Sequence, residues 1–253
     1  MLYEELVSLI SNFSDLLSIE IVYGIDTNYL LVDNHLGISN KIVKELLSEL
    51  CTNMKTSAGT TYLMQSFLYC ILNPRNYTVY NRRKDLVCDS PSLLVNELHY
   101  ICVLQDQYPK VPELWDHRRY VLKRIASLTG KIDTLKNEII HCYRMCDKYP
   151  RNYYAWTTLQ TLLPSYTVDD ILFELKYNQE FFSLHIKDYS ALYRWQTLIM
   201  ELHNRHYNLS LLQKLVSDEK KAIDYVQQVY GSNLSIQIHR ECLNVIEESL
   251  NVI

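Results

Sequence analysis

Four stretches of this chain keep one frame: "NYTVYNRRKDLV" at 76–87, "PELWDHRRYVL" at 112–122, "NYYAWTTLQTLL" at 152–163 and "DYSALYRWQTLI" at 188–199. Their anchors, Tyr80, Trp115, Trp156 and Leu192, stand 35, 41 and 36 residues apart. That interval holds two antiparallel helices and their turns, and a unit of that size can bury its apolar face only against its neighbours. The period therefore predicts an all-α chain of stacked helical hairpins. Only 5 Gly and 6 Pro in 253 residues agree, because hairpin-rich sheets need more turn residues than that.

Start and stop signals fall where the period needs them. Ser90 caps a helix with Pro91 at its first position, Asp133 caps the next, and Thr167 with Asp170 three residues on has the form of a capping box. Helical spacing places Leu94, Leu98, Ile101 and Gln105 on one face, and Leu135, Ile139, Cys142 and Cys146 on another. Both of these helices stop at Tyr-Pro, where Pro109 or Pro150 turns the chain six residues before the anchor aromatic. In the second helix of the pair, Trp115, Arg118, Arg119 and Leu122 share a face. A guanidinium there can lie on indole and reach carboxylates or carbonyls of a neighbouring helix, which would lock one hairpin to the next.

The repeats are expected over residues 60–88, 91–124, 132–163 and 168–200 of one domain spanning 1–253. Residues 1–50 and 208–253 are read as caps. Leu2, Leu6, Leu9, Phe13 and Leu16 predict an amphipathic first helix, residues 19–38 an extended packing segment, and 208–231 a long helix stopped by Gly231.

A net charge of −4 gives no electrostatic case for nucleic acid or an anionic membrane. The basic runs at 81–84 and 117–124 are interleaved with aromatics at helical spacing, which is the pattern of packing. No apolar run approaches the roughly 20 residues of a membrane span, and the sequence shows no positively charged leader followed by an apolar stretch and cleavage site. Seven cysteines, an odd number, point to reduced thiols and a cytoplasmic location. Cys142 and Cys146 beside His141 could offer two zinc ligands, but no second ligand pair accompanies them. Neither a phosphate-cradling Gly loop nor a nucleophile elbow is present.

The Asn-Tyr, aromatic, basic-pair pattern resembles the repeat of protein prenyltransferase alpha subunits. It is carried by Tyr77, Tyr80, Arg82 and Arg83, by Trp115, His117, Arg118 and Arg119, by Asn152, Tyr153 and Trp156, and by Asp188 and Tyr189. "LLVDNHLGI" and "HIKDYSALYRWQ" extend the resemblance over roughly residues 20–200. Thr157-Thr158-Leu159-Gln160 replaces the His-Arg-Arg type segment in the third copy, and the fourth has Trp195 where the first Arg would fall. The resemblance implies a right-handed superhelix of hairpins wrapping a beta subunit. It implies transfer of a prenyl group, geranylgeranyl in kind, to the C-terminal cysteine of an acceptor protein. That partner would hold the isoprenoid and the zinc, and this chain would carry no cofactor. Arg151 and Tyr153 match the positions that meet the prenyl diphosphate. The alternative is a non-catalytic scaffold that binds another protein.

Overall fold

The structure is a computed structural model that describes residues 2–12, 16–130, 135–231 and 233–251. The chain divides into two compact units, Met1–Asp133 and Thr134–Ile253. The expected cap Asp133 and the expected apolar residue Phe13 lie outside the described residues.

In the first unit, α1 (Leu2–Asn12) buries Leu6 and Ile10 against α3 (Gly59–Leu72) and α2 (Val43–Asn53). The first helix is shorter than its sequence suggests: Leu16 is buried, but beyond the helix, on the way into a strand. The stretch read as an extended segment is in fact a three-stranded sheet, β1 (Ser18–Val22), β2 (Tyr29–Val32) and β3 (His35–Ser39), in the order β1-β3-β2. β3 pairs parallel with β1 and antiparallel with β2. Asp33 and Asn34 both take positive φ, 48° and 65°, the two-residue turn that matches strand twist. Gly37 lies where a Cβ would come 3.0 Å from Val22, which keeps β1 and β3 close.

Two helical hairpins complete this unit, α3 with α4 (Tyr77–Val87) and α5 (Pro91–Gln107) with α6 (Pro112–Thr129). Ser90 caps α5 by accepting from Leu93 N, with Pro91 in the first turn. The second unit has three hairpins: α7 (Leu135–Lys148) with α8 (Tyr153–Leu162), α9 (Val168–Leu184) with α10 (Tyr189–Asn204), and α11 (Leu209–Tyr230) with α12 (Leu234–Asn251). Thr167 and Asp170 form the capping box of α9, and Gly231, with φ 80°, ends α11. The faces expected to be apolar are buried in both α5 and α7.

One contact closes the hairpins at a constant separation. Residue 20 positions along from a site on the first helix returns to touch it from the second. Arg82 Cζ lies 4.0 Å over the Tyr62 ring, His117 Nε2 is 2.6 Å from Glu97 Oε1, Arg194 Nε is 2.7 Å from Glu174 Oε1, and His239 Nε2 is 3.2 Å from Glu219 Oε1. In the third hairpin the equivalent residues Glu138 and Thr158 are both buried. The helices expected to be a C-terminal cap thus close in the same register as the repeats. Glu97, Glu174 and Glu219 tolerate burial on the first helix because a guanidinium or imidazole meets each of them there.

Arginines also tie hairpin to hairpin within each unit. Arg83, 2% exposed, gives Nε and Nη2 to Glu97 of the next hairpin at 2.7 and 2.6 Å, and Nη1 to Leu63 O and Ser66 Oγ at 2.5 Å. Arg194 reaches back to Leu159 O and Gln160 Oε1, so the fourth copy fills positions where the third lacks its basic pair. Arg118 is buried and donates to Gln105 Oε1 and Cys102 Sγ, whereas Arg119 is half-exposed with Asp116 3.9 Å away.

Burial by itself lowers the His117 pKa, and its Glu97 bond only partly offsets that. The neutral imidazole then donates from Nε2. An unfolded His117 takes up a proton near pH 6.5 while the folded one resists, so this contribution is full above that pH and is lost as the pH falls through it. Urea midpoints should fall between pH 7.5 and 5.5. A His117→Gln variant should show a flatter profile over the same window, and an unchanged slope would exclude His117 as the origin.

Candidate functional site at the third hairpin tip

The Asn or Asp of each Asn-Tyr pair is a helix N-cap. Asn76 accepts from Val79 N, Asn152 from Tyr154 N and Ala155 N, and Asp188 from Ser190 N, so the following Tyr77, Tyr153 and Tyr189 occupy the first helical position. All three tyrosines stand out from the tips, 53%, 71% and 53% exposed. Just before the cap comes a cation, Arg75, Lys110, Arg151 or Lys187, exposed in every case.

The anchor aromatics explain the proline six residues upstream. Tyr80 OH donates to Pro74 O at 3.0 Å and Trp115 Nε1 to Pro109 O at 2.8 Å, so each ring fastens the turn that precedes its own helix. The third tip departs from this scheme. Arg151 adopts φ 58°, the left-handed region that is costly for a non-glycine residue, and Trp156 Nε1 has no acceptor among the described residues. Trp156 is half-buried and packs edge-on against Tyr143 and Phe181, with centroids 5.3 and 5.9 Å away.

Asp188 holds the strained turn. Its Oδ2 accepts from Arg151 N at 3.3 Å while Oδ1 accepts from Ser190 N at 3.0 Å. The Arg151 guanidinium lies 5.6 Å from the Tyr189 ring centroid. Pro150, Arg151, Leu184, His185, Lys187 and Asp188 line a groove of about 620 Å³ between the tips of hairpins three and four. His185 is turned to Asp147, 2.9 Å away, which leaves Arg151 and Lys187 as the exposed cations of the groove. Tyr153 is on the same tip with its ring edge-on to Tyr154, outside the groove lining.

Of the residues singled out by pattern, Arg151, Asp188 and Tyr189 therefore converge, and Tyr153 flanks them. Tyr80, Arg83, Trp115, His117 and Arg118 are buried and serve packing. Tyr77 carries Lys84 5.3 Å over its ring, and Arg82 donates to Met54 O and Ser57 O at 3.1 and 2.7 Å. Lys187 escaped the pattern, although a cation directly before the second-helix cap of the first three hairpins, Arg75, Lys110 and Arg151, is a readable signal. Cys142 and Cys146 do not suit a metal: both are buried, and burial pushes the Cys146 thiol well above its ordinary pKa, whereas coordination needs thiolate. No helix among the described residues is long and apolar enough to cross a membrane.

Comparison with known proteins finds likenesses centred on this tip. The family model "Protein prenyltransferase alpha subunit repeat" matches residues 135–166, the third hairpin with its tip. The chain is 27% identical to "Protein prenyltransferase alpha subunit repeat-containing protein 1-B" of Xenopus laevis, over 75% of this chain and 51% of that protein. To "Protein prenyltransferase alpha subunit repeat-containing protein 1" of Homo sapiens it is 28% identical, over 68% and 50%. "Geranylgeranyl transferase type-2 subunit alpha" of Candida albicans is 23% identical over 72% of this chain and 52% of its own length. The chain spans about half the length of the curated relatives it matches. With the repeat model centred on the Asn152 cap and relatives matched over most of its length, this chain is similar to proteins that carry the protein prenyltransferase alpha-subunit repeat.

Proposed function

We propose that the chain is the alpha-type subunit of a protein prenyltransferase that works in the cytoplasm with a beta-type partner. The partner would hold the zinc, the isoprenoid and the acceptor's C-terminal cysteine, and geranylgeranyl transfer fits the names of the type-2 relatives. In this reading Arg151 and Tyr153 meet the prenyl diphosphate. Cleavage of the carbon–oxygen bond builds negative charge on the diphosphate oxygens, and a fixed cation with a phenol donor stabilises that charge more in the transition state than before it. The observation that supports this most is the strained third tip, where Asp188 fixes the Arg151 backbone while its side chain remains exposed. Backbone strain retained at one tip and relieved at its sisters suits a functional role.

The test is transfer of a fluorescent geranylgeranyl group to a peptide with a C-terminal cysteine, by the chain co-purified with a geranylgeranyltransferase beta subunit. Arg151→Ala should lower kcat by roughly 10²-fold, the scale for losing one such donor, with the complex intact on gel filtration. Unchanged turnover removes Arg151 from the mechanism. A complex that forms without any transfer by the wild-type chain supports the binding-only alternative, which the burial of His117 and Arg118 also accommodates.

A further inference from the structure

The second helices of neighbouring hairpins finish their shared face in two different ways. Between α4 and α6, Lys84 Nζ reaches Asp116 Oδ2 at 2.9 Å and lies 5.3 Å over both the Tyr77 and Tyr120 rings, so the face is sealed by charge and aromatics. Counted from the caps, the same positions on α10 and α12 are Gln196 and Ile238. Gln196 turns inward to His239 Nδ1 at 2.7 Å, and Ile238 is 50% exposed. What remains there is an open groove of about 670 Å³. Tyr193 and Met200 form one wall and Ile238 and Val245 the other, 68%, 37%, 50% and 64% exposed, over a floor that includes buried Leu163 and Ile246.

Its charge has one sign. Glu201 of α10 and Glu241 of α12 line opposite sides, and no lysine or arginine among the described residues lines it. Glu201 shares Arg205, while Glu241 has no ion-pair partner among the described residues.

We infer that this groove receives an amphipathic helix of a partner protein, with apolar residues at i, i+3 or i+4, and i+7 and with lysine or arginine flanking that stripe. Tyr193 to Met200 and Ile238 to Val245 are each seven residues, about 10 Å of helix, which matches two turns of a bound helix laid between them. The Glu241 carboxylate, with Glu201 across the groove held by Arg205, selects a basic flank and repels an acidic one. A lone hydrocarbon chain would stay mostly wet in so open a groove. This surface is separate from the Arg151 tip, and its test does not depend on transferase activity.

Two 16-residue synthetic helices with the same leucine stripe, one flanked by lysines and one by glutamates, provide the probe. Their affinity for the full chain is read by fluorescence anisotropy, and occupancy by the maleimide alkylation rate of Cys242, a partly exposed thiol in the groove. The lysine-flanked helix should bind at least tenfold more tightly and slow alkylation of Cys242. Val245→Lys and Glu241→Lys, both at exposed positions, should abolish that preference while leaving the thermal melt unchanged. Equal affinities, binding indifferent to Val245→Lys, or Cys242 alkylating at the free rate in the complex would each overturn the assignment.

Discussion

Glu97→Ala is expected to destabilise the protein by about 3–5 kcal/mol, the penalty for removing one member of a buried ion pair. Glu97 is 2% exposed and receives Arg83 on both carboxylate oxygens and His117 on one. Burial would raise its pKa, but the Arg83 charge and the His117 bond outweigh burial and hold it at about 2. Truncation leaves the Arg83 guanidinium buried with only Leu63 O and Ser66 Oγ for its charge, and strips His117 of its acceptor. Domains of this kind have roughly 5–15 kcal/mol in total, so the loss is a large share and should appear as a lower urea midpoint at unchanged slope. Arg83→Met with Glu97→Leu removes both charges and refills the volume. That double variant should lose distinctly less than the sum of the single changes, and strict additivity would show that the two side chains act independently.

The hairpins were legible because their punctuation is local. Pro91, the Tyr-Pro stops, and the Thr167 capping box each act within one turn of helix, so sequence spacing and structure coincide. The sheet was only half legible. Residues 19–38 have strand composition, but the parallel pairing of β1 with β3 joins residues that no local rule connects. Glu97, Glu174 and Glu219 were missed altogether, since a single glutamate on an amphipathic helix reads as surface charge until its partner 20 residues on is known to fold back over it. At the candidate site, Arg151 was visible through family likeness alone. Its left-handed backbone and the role of Asp188 in fixing it depend on the fourth hairpin's cap, 37 residues away in sequence.

The two anchor tryptophans, alike in the sequence, should part company in the laboratory. Trp115→Ala is expected to cost about 3–5 kcal/mol, the range for emptying a fully buried large aromatic site. Its indole is inaccessible to solvent and its Nε1 donates to Pro109 O, so truncation opens a cavity and also releases the turn between α5 and α6. Trp156 is half-buried, makes edge-on ring contacts to Tyr143 and Phe181, and has no acceptor for Nε1 among the described residues. Edge-on ring contacts contribute roughly 0.5–1.5 kcal/mol each beyond area, and a site open to water collapses or fills more readily. Trp156→Ala should therefore lose clearly less than Trp115→Ala in the same urea titration. Trp156→Phe should lose least, because an aromatic edge is kept and no hydrogen bond is forfeited. Equal losses at 115 and 156 would mean that the proline carbonyl contact contributes little and that ring burial alone sets the stability of these tips.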